Sequence, residues 1–267
     1  MKSIDVTKDN VAFSGNFPHL ILICGPCRTG TTALSNVFVN ANIESHMQPI
    51  KSIRRAKESD KVVPLFKVDG KANLIVVKET IGESKKSEFY NPVKDLVALG
   101  YPIAKITVIF VVREPMDTFY SWKRMWGSSA TSSNLLKSFQ MVADIKRYCI
   151  MKDISYIPYT HEIIKTNQPI KVVSKLFDLL QINVAISGSL VDWTKSIKFG
   201  DKNSAECAHL IFYDRPPLKF IEGVRDWGSY KYKKTKYDEN SFYLPDSIFD
   251  IYNSFKMECE QKFSLDV

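Results

Sequence analysis

No stretch of this 267-residue chain is apolar for long enough to cross a bilayer. The longest apolar runs, Leu20 to Cys24 and Ile106 to Val112, fall far short of the roughly 20 residues a spanning helix needs. The first ten residues, MKSIDVTKDN, mix charges of both signs and lack the apolar core of a secretory leader. A cytoplasmic protein without a membrane anchor is therefore expected. Cysteine is sparse, and its count of five is odd, which argues against a disulfide framework. Cys24 and Cys27 have C-x-x-C spacing, but no second Cys or His pair follows, so zinc and redox roles are not expected. Acidic residues are outnumbered, 29 against 37 basic, giving a formal charge of +8. That imbalance favours an anionic ligand or partner without choosing among nucleotide, nucleic acid and membrane surface. Internal repeats and low-complexity segments are also absent.

What is present is a chain 45% hydrophobic and 25% charged, able to bury a substantial core as one domain spanning residues 1 to 267. Leu20 to Cys24 reads as a strand that stops at Gly25, and Thr32 to Asn42 has the apolar spacing of a helix. Asn73 to Val77 reads as another strand, followed by a charged, helix-compatible stretch ending before Gly100. Ile106 to Val112 is apolar on both faces, as befits a central parallel strand covered on either side. Helices are expected from about Met116, from Asn134 to Cys149, from Ile170 to Leu180 and from Pro245 to Phe263, with a short strand at Ser155 to Pro158. Residues 200 to 240 show little periodicity and read as a long loop or lid. The alternation predicts an α/β fold of three layers, a central mostly parallel sheet flanked by helices.

The strand-to-helix junction carries Gly25-Pro26-Cys27-Arg28-Thr29-Gly30-Thr31-Thr32. This fits the phosphate-binding pattern G-x-x-x-x-G-x-[ST], except that threonine stands where nucleotide hydrolases place lysine. Backbone N–H groups of such a turn still cradle an oxyanion, and Arg28 supplies a cation. The acidic residue that would hold magnesium at the end of a buried strand is missing, because ITVIFVVRE ends in arginine. A sulfuryl group carries less charge than a terminal phosphoryl group, so a cation and hydrogen-bond donors suffice to steady its leaving phosphate without a metal. RTGTTAL after a strand resembles the 5′-phosphosulfate loop of the sulfotransferases that use 3′-phosphoadenosine 5′-phosphosulfate (PAPS). That family's second signature is an arginine ending a strand with a serine eight residues on, together gripping the donor's 3′-phosphate. Arg113 and Ser121 in VVREPMDTFYSW stand at that spacing. The resemblance implies a P-loop-like sulfotransferase architecture, PAPS as donor, 3′-phosphoadenosine 5′-phosphate (PAP) as product, and no metal. It implies donor contacts from Arg28, Thr29, Gly30, Thr31, Thr32, Arg113 and Ser121. YIPYTHEII and EGVRDWGSYKYKK resemble the adenine-pocket segment and the loop that closes over the donor, which nominates Tyr159, Arg225 and Trp227.

The acceptor, expected to be a hydroxyl or amine of a small molecule or glycan, must lose a proton as it attacks. Glu79, in VVKET near the end of a strand, is the first candidate base. His46, one of four histidines, is the second, and Glu44 is the third. Lys78 would neutralise the transferring group, although strand alternation sends it to the face opposite Glu79. Two other readings remain open: a small-molecule or nucleoside kinase with a degenerate loop, and a non-catalytic nucleic-acid binder using KYKKTKY at 231 to 237. Nucleic acid is not the expected partner. The Arg-Thr-Gly-Thr-Thr loop resembles that of the family's Golgi-resident branch more than the form of its soluble animal enzymes, yet no membrane anchor is expected, so a bacterial enzyme is expected; oligomeric state is not readable.

Overall fold

The structure is a computed structural model that describes residues 4–13, 16–68, 70–82, 85–192, 210–213, 230, 232 and 242–264. Its centre is a six-stranded sheet in which each pairing is parallel, in the order β7-β6-β2-β5-β3-β8. The strands are β2 (His19–Pro26), β3 (Ser45–Met47), β5 (Leu74–Ile81), β6 (Ile106–Val112), β7 (Ser155–Thr160) and β8 (Leu210–Phe212). A separate parallel pair joins β1 (Val11–Phe13) to β4 (Phe66–Val68).

β2 and β6 are buried on both faces because their alternating residues feed two different cores. Leu20, Leu22, Cys24, Val108 and Phe110 enter one, while Ile21, Ile23, Ile109 and Val111 enter the other. Helix α1 (Thr31–Asn40) covers the second face with Leu34, Val37 and Phe38, beside Val172, Val173, Leu176 and Phe177 of α7 (Pro169–Leu179). The first face is covered by α2 (Pro49–Glu58), α3 (Pro92–Ala98), α4 (Pro115–Trp126) and α5 (Ser132–Met151). One turn, α6 (Ile163–Thr166), follows β7. The last helix, α8 (Asp246–Phe263), puts Ile248, Tyr252 and Phe255 into the first core and Cys259 and Phe263 into the second. It thereby wraps the β7 edge and shields it.

The three-layer α/β expectation is met, with corrections in the middle of the chain. β5 runs four residues beyond Val77, through the polar Lys78, Glu79 and Thr80, and the helix expected after it shrinks to α3. Residues 43 to 72 hold β3, α2 and β4, and the stretch read as a lid contains β8. Strand order reverses direction at β2 and β6: the chain leaves β2 toward β3 across α1, and leaves β6 toward β7 across α4 and α5. In open parallel sheets the crevice at the carboxyl ends of such a strand pair is where ligands collect.

Candidate functional site

The loop between β2 and α1 sits on that crevice, and its neighbours fix its shape. Gly25 is required by close approach: a Cβ there would lie 2.0 Å from Val111 O on β6. Thr29, fully buried, places its Oγ1 2.8 Å from Pro26 O and 3.0 Å from Val111 O, so its side chain ties the loop down rather than facing a ligand. Trp122 Nε1 donates to Cys27 O at 2.6 Å. Lys51, buried on α2, reaches Cys27 Sγ at 3.4 Å, Gly82 O at 3.1 Å and Thr80 Oγ1 at 3.2 Å. Cys27 and Cys24 are buried free thiols, and no group of His, Cys, Asp and Glu suited to a metal occurs among the described residues.

The loop ends in a helix N-terminus prepared for negative charge. Gly30, in the left-handed region at φ 97°, precedes α1, which has no side-chain cap and no acidic residue in its first turn. The first backbone N–H groups of a helix have no partner within it, so the amides around Thr31 and Thr32 remain as donors. Arg28, also left-handed at φ 71°, adds a guanidinium that is partly buried. Burial, with Arg124 and Arg113 nearby, lowers it to about 10, which leaves it charged at neutral pH.

The two motifs meet. Arg28 Nε donates to Ser121 Oγ at 3.1 Å, joining the loop after β2 to the helix after β6. Arg113, leaving β6 and 6% exposed, approaches Asp117 Oδ2 at 3.3 Å and stands 5.9 Å from the centre of the Tyr232 ring. Tyr232 in turn donates to Asp117 Oδ2 at 2.6 Å. Arg28, Gly30, Thr31, Thr32, Arg113 and Ser121 thus share one end of the sheet, a dense set of donors and cations that fits a phosphorylated or sulfonated anion.

The remaining candidates are placed differently. Tyr159 lies in the second core, fully buried, its hydroxyl 2.6 Å from that of Tyr230, so it does not line the crevice. β7 extends two residues past Pro158, and the side chain leaving the strand is His161, which the sequence reading missed. Arg225, Trp227 and most of 231 to 237 lie outside the described residues.

On the β5 side, Glu79 caps α2. It accepts from Ile50 N at 2.7 Å, from Lys51 N at 3.3 Å and from the Tyr90 hydroxyl. Burial raises it to about 7, against the lowering effect of those three bonds. Lys78, one residue earlier, points to the opposite face with Val76 and donates to Gln48 Oε1 at 3.2 Å; burial lowers it to about 7. His46, fully buried, is bonded through both nitrogens, Nδ1 to Tyr213 Oη at 2.6 Å and Nε2 to Glu44 Oε1 at 2.8 Å.

No protein-family model matches the chain, and no curated protein matches it. Among solved structures it is similar to the sulfotransferase domain from the curacin biosynthetic pathway, with a TM-score of 0.51 and 14% identity over 91% of this chain and 99% of that one. The sulfotransferase domain of the Synechococcus PCC 7002 olefin synthase gives 0.49 and 12%, covering 95% and 97%. A mouse sulfotransferase, SULT7A1, complexed with PAP, gives 0.44 and 16%, covering 95% and 87%. At such identities the likeness concerns architecture, and it agrees with the parallel sheet and flanking helices described above: the chain has the sulfotransferase fold.

Proposed function

We propose that this protein moves a sulfuryl group from PAPS to a hydroxyl or amine of a small molecule or glycan. The observation that supports the reading is the 3.1 Å bond from Arg28 to Ser121, residues 93 apart in sequence, which brings the two expected donor-binding motifs together. A nucleotide with phosphate at both the 5′ and 3′ positions is the ligand class that uses both. Bound PAPS would supply the activated sulfuryl group.

The protein's own part is positional and electrostatic. The α1 amides and Arg28 stabilise the charge that gathers on the departing 5′-phosphate, and Arg113 with Ser121 fixes the ribose 3′-phosphate. Lys78, fixed by Gln48, contributes positive charge whose strength changes around neutral pH. Two groups compete to take the acceptor's proton. Glu79 has its titration near neutrality and three of its four lone-pair sites already used. His46 would need to break a bond to Tyr213 or Glu44 first.

A thermal-shift panel tests the reading. PAP in EDTA should stabilise the protein, while ATP with magnesium should not. Stabilisation by magnesium-ATP alone would replace this assignment with a kinase. Salt-sensitive binding of RNA or DNA with no response to PAP would replace it with a nucleic-acid binder.

A further inference from the structure

His161 is 2% exposed, and its Nδ1 is a buried polar atom with no hydrogen-bond partner. It leaves β7 directly, its backbone N–H donating to Val112 O at 2.8 Å, which sets it beside Arg113. Its ring lies against the phosphate loop: a Cβ on Gly30 would be 2.7 Å from Nδ1 and 3.1 Å from Cε1. The Tyr232 ring, 5.7 Å away between centres, stands beside it, and the same ring lies near Arg113. Thus, among the described residues, the one imidazole in this region lies beside both expected anion grips, the loop at Gly30 and Arg113. Burial, then Arg113, lowers its pKa to about 3, so it is a neutral imidazole with a single N–H to offer. Buried polar atoms in folded proteins are nearly always paired, and an orphan at a ligand cleft points to a ligand atom that completes it.

We propose that His161 contacts the nucleotide itself, its Nδ1–H donating to an oxygen of the ribose phosphate portion held between Arg28 and Arg113. This rests on the donor reading given above. It gives the lack of a side chain at Gly30 a second purpose, since any Cβ would displace the imidazole from the loop.

The test is calorimetric titration of PAP, in EDTA, into the parent protein and His161→Asn, His161→Gln and His161→Leu, with the ligand-free Tm of each. Asparagine places a donor where Nδ1 stood, whereas glutamine places one near the other ring nitrogen. We expect His161→Asn to bind within about threefold of the parent, and the Gln and Leu variants to bind about tenfold more weakly, the value of one lost hydrogen bond to a charged group. His161→Leu should keep or raise the ligand-free Tm, because it removes an unpaired polar atom. Equal affinity in parent and Leu variant would overturn the proposal. So would equal weakening in Asn, Gln and Leu, which would mean that the ring only props Gly30. A parent protein that ignores PAP would overturn the donor reading, a result separate from either of these.

Discussion

Glu79→Gln separates a helix cap from a catalytic base, and its effect follows from the burial of the carboxylate. The group is raised from 4.5 to about 7 in the folded protein. Below about pH 4.5 it is protonated in both folded and unfolded chains, and parent and variant differ only in local fit. As pH rises toward 7 the unfolded chain releases its proton while the folded one retains it, so the parent loses stability through that window and stays lower above it. At about 1.4 kcal/mol per pH unit the loss totals roughly 3 kcal/mol. A chain of this size shifts by roughly 2 °C per kcal/mol, so the variant should gain roughly 6 °C on the parent between pH 4.5 and 8. His161 also titrates abnormally, but it is present in both proteins and largely cancels in the difference, whereas Lys78 is coupled to Glu79 and loses a favourable charge in the variant, which trims the gain at neutral pH. Differential scanning calorimetry at half-unit pH steps reads the result. A Tm difference that stays constant across the window would refute the burial argument. If Glu79 is also the base, kcat should fall at least 100-fold with PAP affinity unchanged; if it only caps α2, kcat should stay within a few-fold.

Arg28→Ala should abolish most of the thermal shift given by PAP, and Arg28→Lys should restore little of it, because an ammonium lacks the Nε–H that meets Ser121. A lysine variant with the full parental shift would show that charge alone suffices. Gly30→Ala combines a left-handed backbone with a Cβ 2.7 Å from His161, and should destabilise by at least about 1 to 2 kcal/mol in urea titration. His46→Ala removes the shared partner of Tyr213 and Glu44 from a fully buried site and should cost about 2 to 4 kcal/mol, read from the urea midpoint. Loss of turnover in that variant without loss of stability would instead mark His46 as the proton acceptor.

The long apolar strands were legible because burial on both faces leaves an unbroken run, as at Ile106–Val112. The donor loop was legible because glycine and arginine spacing reports backbone shape directly. β5 was misread past Val77 because Lys78, Glu79 and Thr80 are polar, yet they stay in the strand, paired with Ile23, Cys24 and Gly25 of β2, while their side chains are satisfied by Gln48 and the start of α2. Such partners are 28 or more residues distant and leave no local pattern. β3, β4 and β8 are three residues each, too short for alternation to show. His161 was hidden for a related reason: the choice between it and Tyr159 depends on where β7 stops, and a boundary error of two residues moves the nomination from the cleft to the core.

Arg28 keeps its guanidinium in the cleft on a backbone angle that glycine adopts more readily, φ 71°. For a residue with a side chain, that conformation carries a strain of roughly 1 to 2 kcal/mol. Laboratory evolution for heat resistance alone should therefore drift toward glycine at position 28, yielding a sturdier scaffold stripped of its principal cation. Selections for robustness would need a simultaneous screen for ligand capture to keep the arginine.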